Sequence, residues 1–196
     1  MNNLRLGHFC EPRPEQYAEL LNEPGVRKHM PLSTIVDAEW CQTWMVAKAT
    51  QWGADGTKGP WSIWAGDRFI GWGGLQPDET HEAGAALVLT QTSWGSGLEA
   101  FSQVVAESYR LDLAKRVLVE FPLTRNADKV LNRLGFQFLD ETEIEGVTFK
   151  RYLANLSELH GRLENMVSSG RDVKRHSQLI SELDPGKATK FIFQRQ

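Results

Sequence analysis

Cysteine is scarce: Cys10 and Cys41 are the only two, and their separation gives neither a disulfide framework nor a metal-ligand spacing. No apolar run approaches the ~20 residues that span a bilayer. The opening MNNLRLGHFCEPRP lacks the apolar core of a signal peptide, so the expected location is the cytoplasm. Charge of one sign is also missing. A net charge of −3 argues against a dominant partnership with nucleic acid or an anionic membrane, while leaving room for a local basic groove. There is no internal repeat and no low-complexity segment. What remains is 41% apolar and 24% charged residues in 196, the balance of an ordinary globular protein long enough for one domain with appendages.

The chain is organised around residues 83–105, AGAALVLTQTSWGSGLEAFSQVV. Ala85, Ala86, Leu87, Val88 and Leu89 read as a buried strand. Thr90 to Gly97 read as a turn, and an amphipathic helix begins near Leu98. A strand that turns through closely spaced glycines into a helix leaves backbone N–H groups pointing outward with the helix dipole behind them, a site for an anion such as phosphate. Gly95 and Gly97 are expected there because a Cβ would block the chain's bend or a ligand's close approach. The competing reading is a strand–helix connection without a ligand.

Around this stretch the other elements fall in order. Leu4–Phe9 reads as a strand, and Pro14 opens a helix that turns Tyr17, Leu20 and Leu21 inward. Val26–Met30 is ambiguous. Thr34–Ala49 reads as a helix capped by Thr34 with Asp37, carrying Trp40, Trp44 and Ala47 at helical spacing. Trp61–Ala65 and Arg68–Leu75 flank Gly66-Asp67 as a hairpin. The central helix is expected to reach about Leu113 with Phe101, Val105 and Tyr109 inside. Arg116–Phe121 then reads as a strand parallel to the central one. Ala127–Leu134 is a short helix closed by Gly135, and Phe136–Ile144 with Val147–Leu153 make a hairpin. Beyond it, Asn155 and Glu158 cap a helix with Leu156, Leu159, Leu163, Met166 and Val167 on one face. A more polar helix over Arg171–Leu183 and an alternating tail over Lys190–Arg195 follow. These suit packing on the core, a homodimer contact or a lid on the acceptor side.

Ser93-Trp94-Gly95-Ser96-Gly97 resembles the Trp-Gly-x-Gly form of the pyrophosphate loop in the GNAT superfamily of N-acetyltransferases. Asn132-Arg133-Leu134-Gly135-Phe136 resembles that family's Leu-Gly-Phe ending, and Phe69-Ile70-Gly71-Trp72-Gly73-Gly74-Leu75 its third strand. The loop tryptophan and the opening Leu-Arg-Leu point to the branch similar to ribosomal-protein N-terminal acetyltransferases. The resemblance implies an α/β fold with a mixed, mostly antiparallel sheet, a central splayed parallel strand pair and flanking helices. It covers a GNAT-like domain over 1–153, with a C-terminal helical extension over 154–196. It implies acetyl-CoA as donor, bound where Ala85–Leu89 and Val117–Phe121 part. The pyrophosphate would lie on the N–H groups of Trp94, Gly95, Ser96, Gly97 and Leu98, with Thr92 and Asn126 nearby, and the pantetheine along Leu87, Val88 and Leu89. A primary amine attacks the thioester directly, with no metal and no covalent enzyme intermediate.

The chain departs from that family where chemistry is expected. Thr124 and Ala127 stand where many members carry Asn and Ser or Ala, and Asn126 lies two residues late. Leu131 takes the place of the tyrosine that protonates the leaving thiolate, which leaves Thr124, Asn126 or water to assist. Glu120 is a candidate base acting through a water, with Glu79, His81 and Glu82 as alternatives. A solvated surface charge is the competing reading for each. Arg133 is a candidate for the CoA ribose phosphate. Cys10 and Cys41 read as structural, and Trp61, Trp64 and Trp72 as core that one acceptor pocket could borrow. Two function classes follow: an N-acetyltransferase whose acceptor is a protein N-terminus, a small-molecule amine or aminoacyl-tRNA, and a non-catalytic acyl-CoA-binding protein with a regulatory or assembly role.

Overall fold

The computed structural model describes residues 4–53, 55–77, 83–123 and 125–168. The second C-terminal helix and the alternating tail expected above lie outside the described residues. So do Glu79, His81, Glu82 and Thr124.

One seven-stranded sheet carries the molecule, in the spatial order β1-β2-β3-β4-β5-β7-β6. Its strands are β1 (Leu4–His8), β2 (Trp61–Ala65), β3 (Arg68–Pro77), β4 (Ala83–Leu89), β5 (Arg116–Pro122), β6 (Gln137–Ile144) and β7 (Val147–Asn155). All neighbours run antiparallel except β4 and β5. Glycine at position 71 allows the close approach of β3 to β4, since a Cβ there would run into the Val88 carbonyl oxygen and φ is +151°.

The sheet's two faces bury two separate cores. Odd-numbered residues of β4 and β5 (Ala85, Leu87 and Leu89; Val117, Val119 and Phe121) pack against α4 (Gly97–Arg110), α5 (Asp128–Leu134) and α6 (Leu156–Ser168). On the opposite face Ala86 and Val88 join Trp72, Trp64 and Phe69 beneath α1 (Pro14–Asn22), α2 (Pro24–Arg27) and α3 (Ala38–Ala49). That second core is aromatic. Phe9, Tyr17, Trp44 and Trp72 meet with ring centroids 5.1 to 5.6 Å apart, mostly edge to face. The tryptophans of the two middle strands are core.

Several boundaries and faces differ from the sequence expectation. α3 starts at Ala38, because the Asp37 carboxylate, not Thr34, accepts the Trp40 N–H at 2.8 Å. Its buried face is Cys41, Trp44, Met45, Lys48 and Ala49, and Ala47 points outward. Of the ambiguous segment only Val26 and Arg27 are helical, in the single turn α2 that Pro24 starts. α4 ends at Arg110 rather than near Leu113, and Tyr109 is 47% exposed, stacked on His160 at 4.6 Å. In α6, Leu156, Leu159 and Leu163 are buried but Val167 is 46% exposed. Those three leucines belong to the same core as α4. Gly135 ends α5 with φ +92°, as expected.

Candidate active site

The parallel ladder between β4 and β5 contains two register pairs, Ala83–Val117 and Gly84–Leu118. Beyond them both strands continue, β4 to Leu89 and β5 to Pro122, without pairing to each other. Each strand keeps its other neighbour along this length, β3 for β4 and β7 for β5. The facing edges therefore open a V lined by main-chain amides. An extended, amide-bearing ligand can add to such edges as a strand does. Leu87, Val88 and Leu89 lie on the β4 arm, all buried.

At the open end of β4 the chain forms a 3-10 turn over Gln91–Ser96 and runs directly into α4. The Thr90 hydroxyl bonds to Ser93 Oγ at 3.0 Å, and the Ser93 N–H donates to the Thr90 carbonyl at 2.9 Å. The Trp94 side chain is 5% exposed, and its indole N–H donates to the Leu89 carbonyl at 3.2 Å. That bond fastens the turn to the strand. Thr92 and Gly95 face solvent, Ser96 and Leu98 are half-buried, and the buried Gly97 donates its N–H to the Trp94 carbonyl. Neither glycine is required by the bend, because Gly95 has no left-handed φ and Gly97 is helical at φ −59°. A Cβ at Gly95 would meet nothing within 4 Å. Ligand approach is the part of the expectation that the geometry leaves standing.

On the other face of the sheet, the unpaired end of β5 lines a cavity of about 530 Å³. Glu120, Phe121 and Pro122 form one wall. Leu21 of α1, His29 to Thr34, Val36 and Trp40 form another, and Ile144, Glu145 and Phe149 of the last hairpin close it, with Arg125 beside them. The alternation of β5 places Glu120 on the face opposite Val119 and Phe121, so its carboxylate looks to the cavity side; the side chain is 4% exposed. Across the ladder Glu120 is in register with Arg151. The Arg151 guanidinium is held by Asp140 through two bonds of 2.6 and 2.5 Å, which holds the Asp140 carboxyl below the usual range.

Two residues near this site carried no signal in the sequence. The Arg125 guanidinium lies 4.7 Å from the centre of the Phe121 ring, and burial pushes its pKa down to about 9. It remains a cation at neutral pH, half-buried against the cavity. The Tyr152 hydroxyl donates to Asp128 at the start of α5, and burial first, then that carboxylate, raise its pKa. Asn126 is exposed in the loop before α5, and Arg133 is exposed in its last turn. Leu131 is fully buried in the core. Burial pushes both thiols up, Cys41 to about 11, so neither is a thiolate at neutral pH. Among the described residues no cluster of His, Cys, Asp or Glu could hold a metal ion, and no helix is long and apolar enough to cross a membrane.

Neither a protein-family model nor a curated protein sequence matches the chain. Solved structures do. A spermidine N-acetyltransferase from Vibrio cholerae, in complex with CoA and spermine, superposes with a TM-score of 0.63 at 12% identity, covering 80% of this chain and 97% of that one. An acetyltransferase of the GNAT family from Streptococcus pneumoniae gives 0.56 at 11% identity, covering 78% and 98%. An aminoglycoside acetyltransferase in complex with coenzyme A gives 0.58 at 12%, covering 81% and 97%. The chain has the fold of the GNAT acetyltransferases: a mixed, mostly antiparallel sheet whose one parallel pair splays, flanked by helices.

Proposed function

We propose that this protein is an acetyl-CoA-dependent N-acyltransferase that moves an acetyl group to a primary amine by direct attack. One observation carries the reading: the segment of β5 that has lost its β4 partner also lines the cavity that holds Glu120. Donor slot and acceptor cavity thus share a wall. The structural neighbours bound to CoA support the donor assignment. The β4 edge at Leu87–Leu89 would hold the pantetheine, and the turn from Thr92 to Leu98 the pyrophosphate, with Asn126 at the mouth.

In the reaction the amine nitrogen forms a bond to the acetyl carbonyl carbon as the C–S bond breaks. The sulfur leaves with the electron pair, and the amine's proton passes through a water to the Glu120 carboxylate. Thr124 is a candidate to assist the thiolate. Tyr152 is not, because its hydroxyl is buried and given to Asp128. A cavity of about 530 Å³ falls within the range of small-molecule sites, which favours a small amine over a protein N-terminus or aminoacyl-tRNA and weighs against the ribosomal-protein branch. We place the transferase unit in residues 1–153, with the 154–196 extension contributing α6 to its core, and the protein in the cytoplasm.

Isothermal titration with acetyl-CoA tests the donor, and no binding at high micromolar concentration would sink the reading. Thiol release across a panel of amines tests the transfer. The burial of Leu131 where the family's acid is expected favours a second reading, a non-catalytic acyl-CoA-binding protein. Binding without thiol release from any amine would select it.

A further inference from the structure

Arg125 differs from the other guanidinium beside the cavity. Asp140 neutralises Arg151 with two hydrogen bonds. Among the described residues no carboxylate lies within ion-pair distance of Arg125. Among the described residues its guanidinium lies over the face of Phe121. A ring covers the flat side of a guanidinium and leaves its in-plane N–H donors open to a ligand. A half-buried cation lining a cavity, with no carboxylate beside it, favours an anion supplied from outside, and a carboxylate matches its fork with two parallel bonds.

The rest of the cavity limits what that anion can belong to. Glu120 and Glu145 line the same space, so a multiply charged anion such as a phosphate would meet two carboxylates for one guanidinium. A molecule with one amine and one carboxylate presents the right sign to each. Leu21, Met30, Val36, Trp40 and Phe149 make much of the remaining wall apolar, which suits a hydrophobic substituent on that molecule.

We infer that Arg125 is an acceptor-binding residue, and that the cavity takes a free amino acid with an apolar or aromatic side chain, its carboxylate on Arg125 and its amine toward Glu120. The inference rests on the transferase reading, because it names the acceptor of that same site.

The test uses matched pairs titrated calorimetrically into the full chain saturated with CoA: L-leucine, L-methionine, L-phenylalanine and L-tryptophan, each against the amine left by removing its carboxylate. At least one acid is expected to bind in the millimolar range or tighter, with its amine roughly 10- to 100-fold weaker, the worth of a charge-assisted hydrogen bond pair. Arg125→Gln should abolish that difference by weakening the acid alone, and Arg125→Lys should restore part of it. Acetyl-CoA affinity should stay unchanged in both variants, which also shows that they fold. Equal binding of acids and amines by the natural chain, or no binding of any acid, would overturn the inference without needing a variant. Loss of acetyl-CoA affinity in Arg125→Gln would do the same by assigning the residue to the donor. Failure of the natural chain to bind acetyl-CoA would instead count against the transferase reading.

Discussion

The Glu23 carboxylate accepts the main-chain N–H of Gln91 at 2.7 Å, tying the corner between α1 and α2 to the first residue of the 3-10 turn that precedes α4. Gly25 sits against Gln91 and Trp94, and the His29 ring meets Trp94 at 6.1 Å. The wall of the cavity and the turn proposed to hold the donor are thus packed together. The same contact puts a negative charge at the end of a helical turn assigned to an anionic ligand. Glu23→Gln keeps an oxygen acceptor and removes the charge, so acetyl-CoA should bind about 2- to 5-fold tighter at low salt. The gain should shrink as salt screens it. Glu23→Ala should weaken binding by freeing the turn. Calorimetric titration at two salt concentrations separates these effects, and equal losses in both variants would show that the charge is irrelevant.

Gly95 offers the cleaner probe of the turn itself. Its φ is not left-handed and a Cβ would meet open space, so Gly95→Leu should change unfolding stability by less than ~0.5 kcal/mol. Acetyl-CoA affinity should fall by about tenfold or more, since the side chain would stand where the pyrophosphate is proposed to lie. Unchanged affinity would remove this turn from the donor site.

The sequence made the sheet legible because its signals there are local. Gly66-Asp67 and Glu145-Gly146 mark two hairpins, Gly135 marks the end of α5, and the strand–turn–helix run fixes the parallel pair. Faces were harder to read. Helix periodicity placed Tyr109 and Val167 inside, yet both lie near helix ends where the neighbouring layer stops. Thr34 with Asp37 three residues on resembled a capping box, whereas in the fold Asp37 is itself the cap and accepts the Trp40 N–H. Glu120 could be placed on β5 but not assigned a side, because β5 is buried on both faces and its alternation carries no polarity. Arg125 was illegible for another reason. A lone arginine in a loop looks solvated until the cavity around it is seen.

Lys48 should shape the pH dependence of stability. It is buried on α3, its ammonium donates to Gln76 Oε1, and burial pushes its pKa down from 10.5 to about 8. Below pH 8 both folded and unfolded chains carry its proton, so its contribution is constant. Between pH 8 and 10.5 the unfolded chain still binds the proton that the folded chain has released, so stability rises with pH. The rise is bounded at about 3 kcal/mol, the gap between the two pKa values. Lys48→Met should be more stable at neutral pH by ~1 to 3 kcal/mol and lose this rise. Urea midpoints of both proteins across pH 7 to 11 make the comparison, and the difference between them cancels the opposing titration of Cys41. Parallel curves would refute the assignment.

Glu120→Gln tests the chemistry most directly, because the change keeps size and shape while removing the charge and the basicity. The Arg151 guanidinium opposite Glu120 keeps its two hydrogen bonds to Asp140 in the variant. The fold and acetyl-CoA affinity should therefore survive. Turnover with any accepted amine should fall by roughly 10²- to 10⁴-fold, the usual worth of a general base. The pH profile separates catalysis from damage. Without a base, only amine that has lost its proton in bulk water can react, so kcat/KM in the variant should climb about tenfold per pH unit up to the amine's own pKa. A variant that keeps the natural profile at a uniformly lower rate would show Glu120 to be structural and return the role of base to another residue.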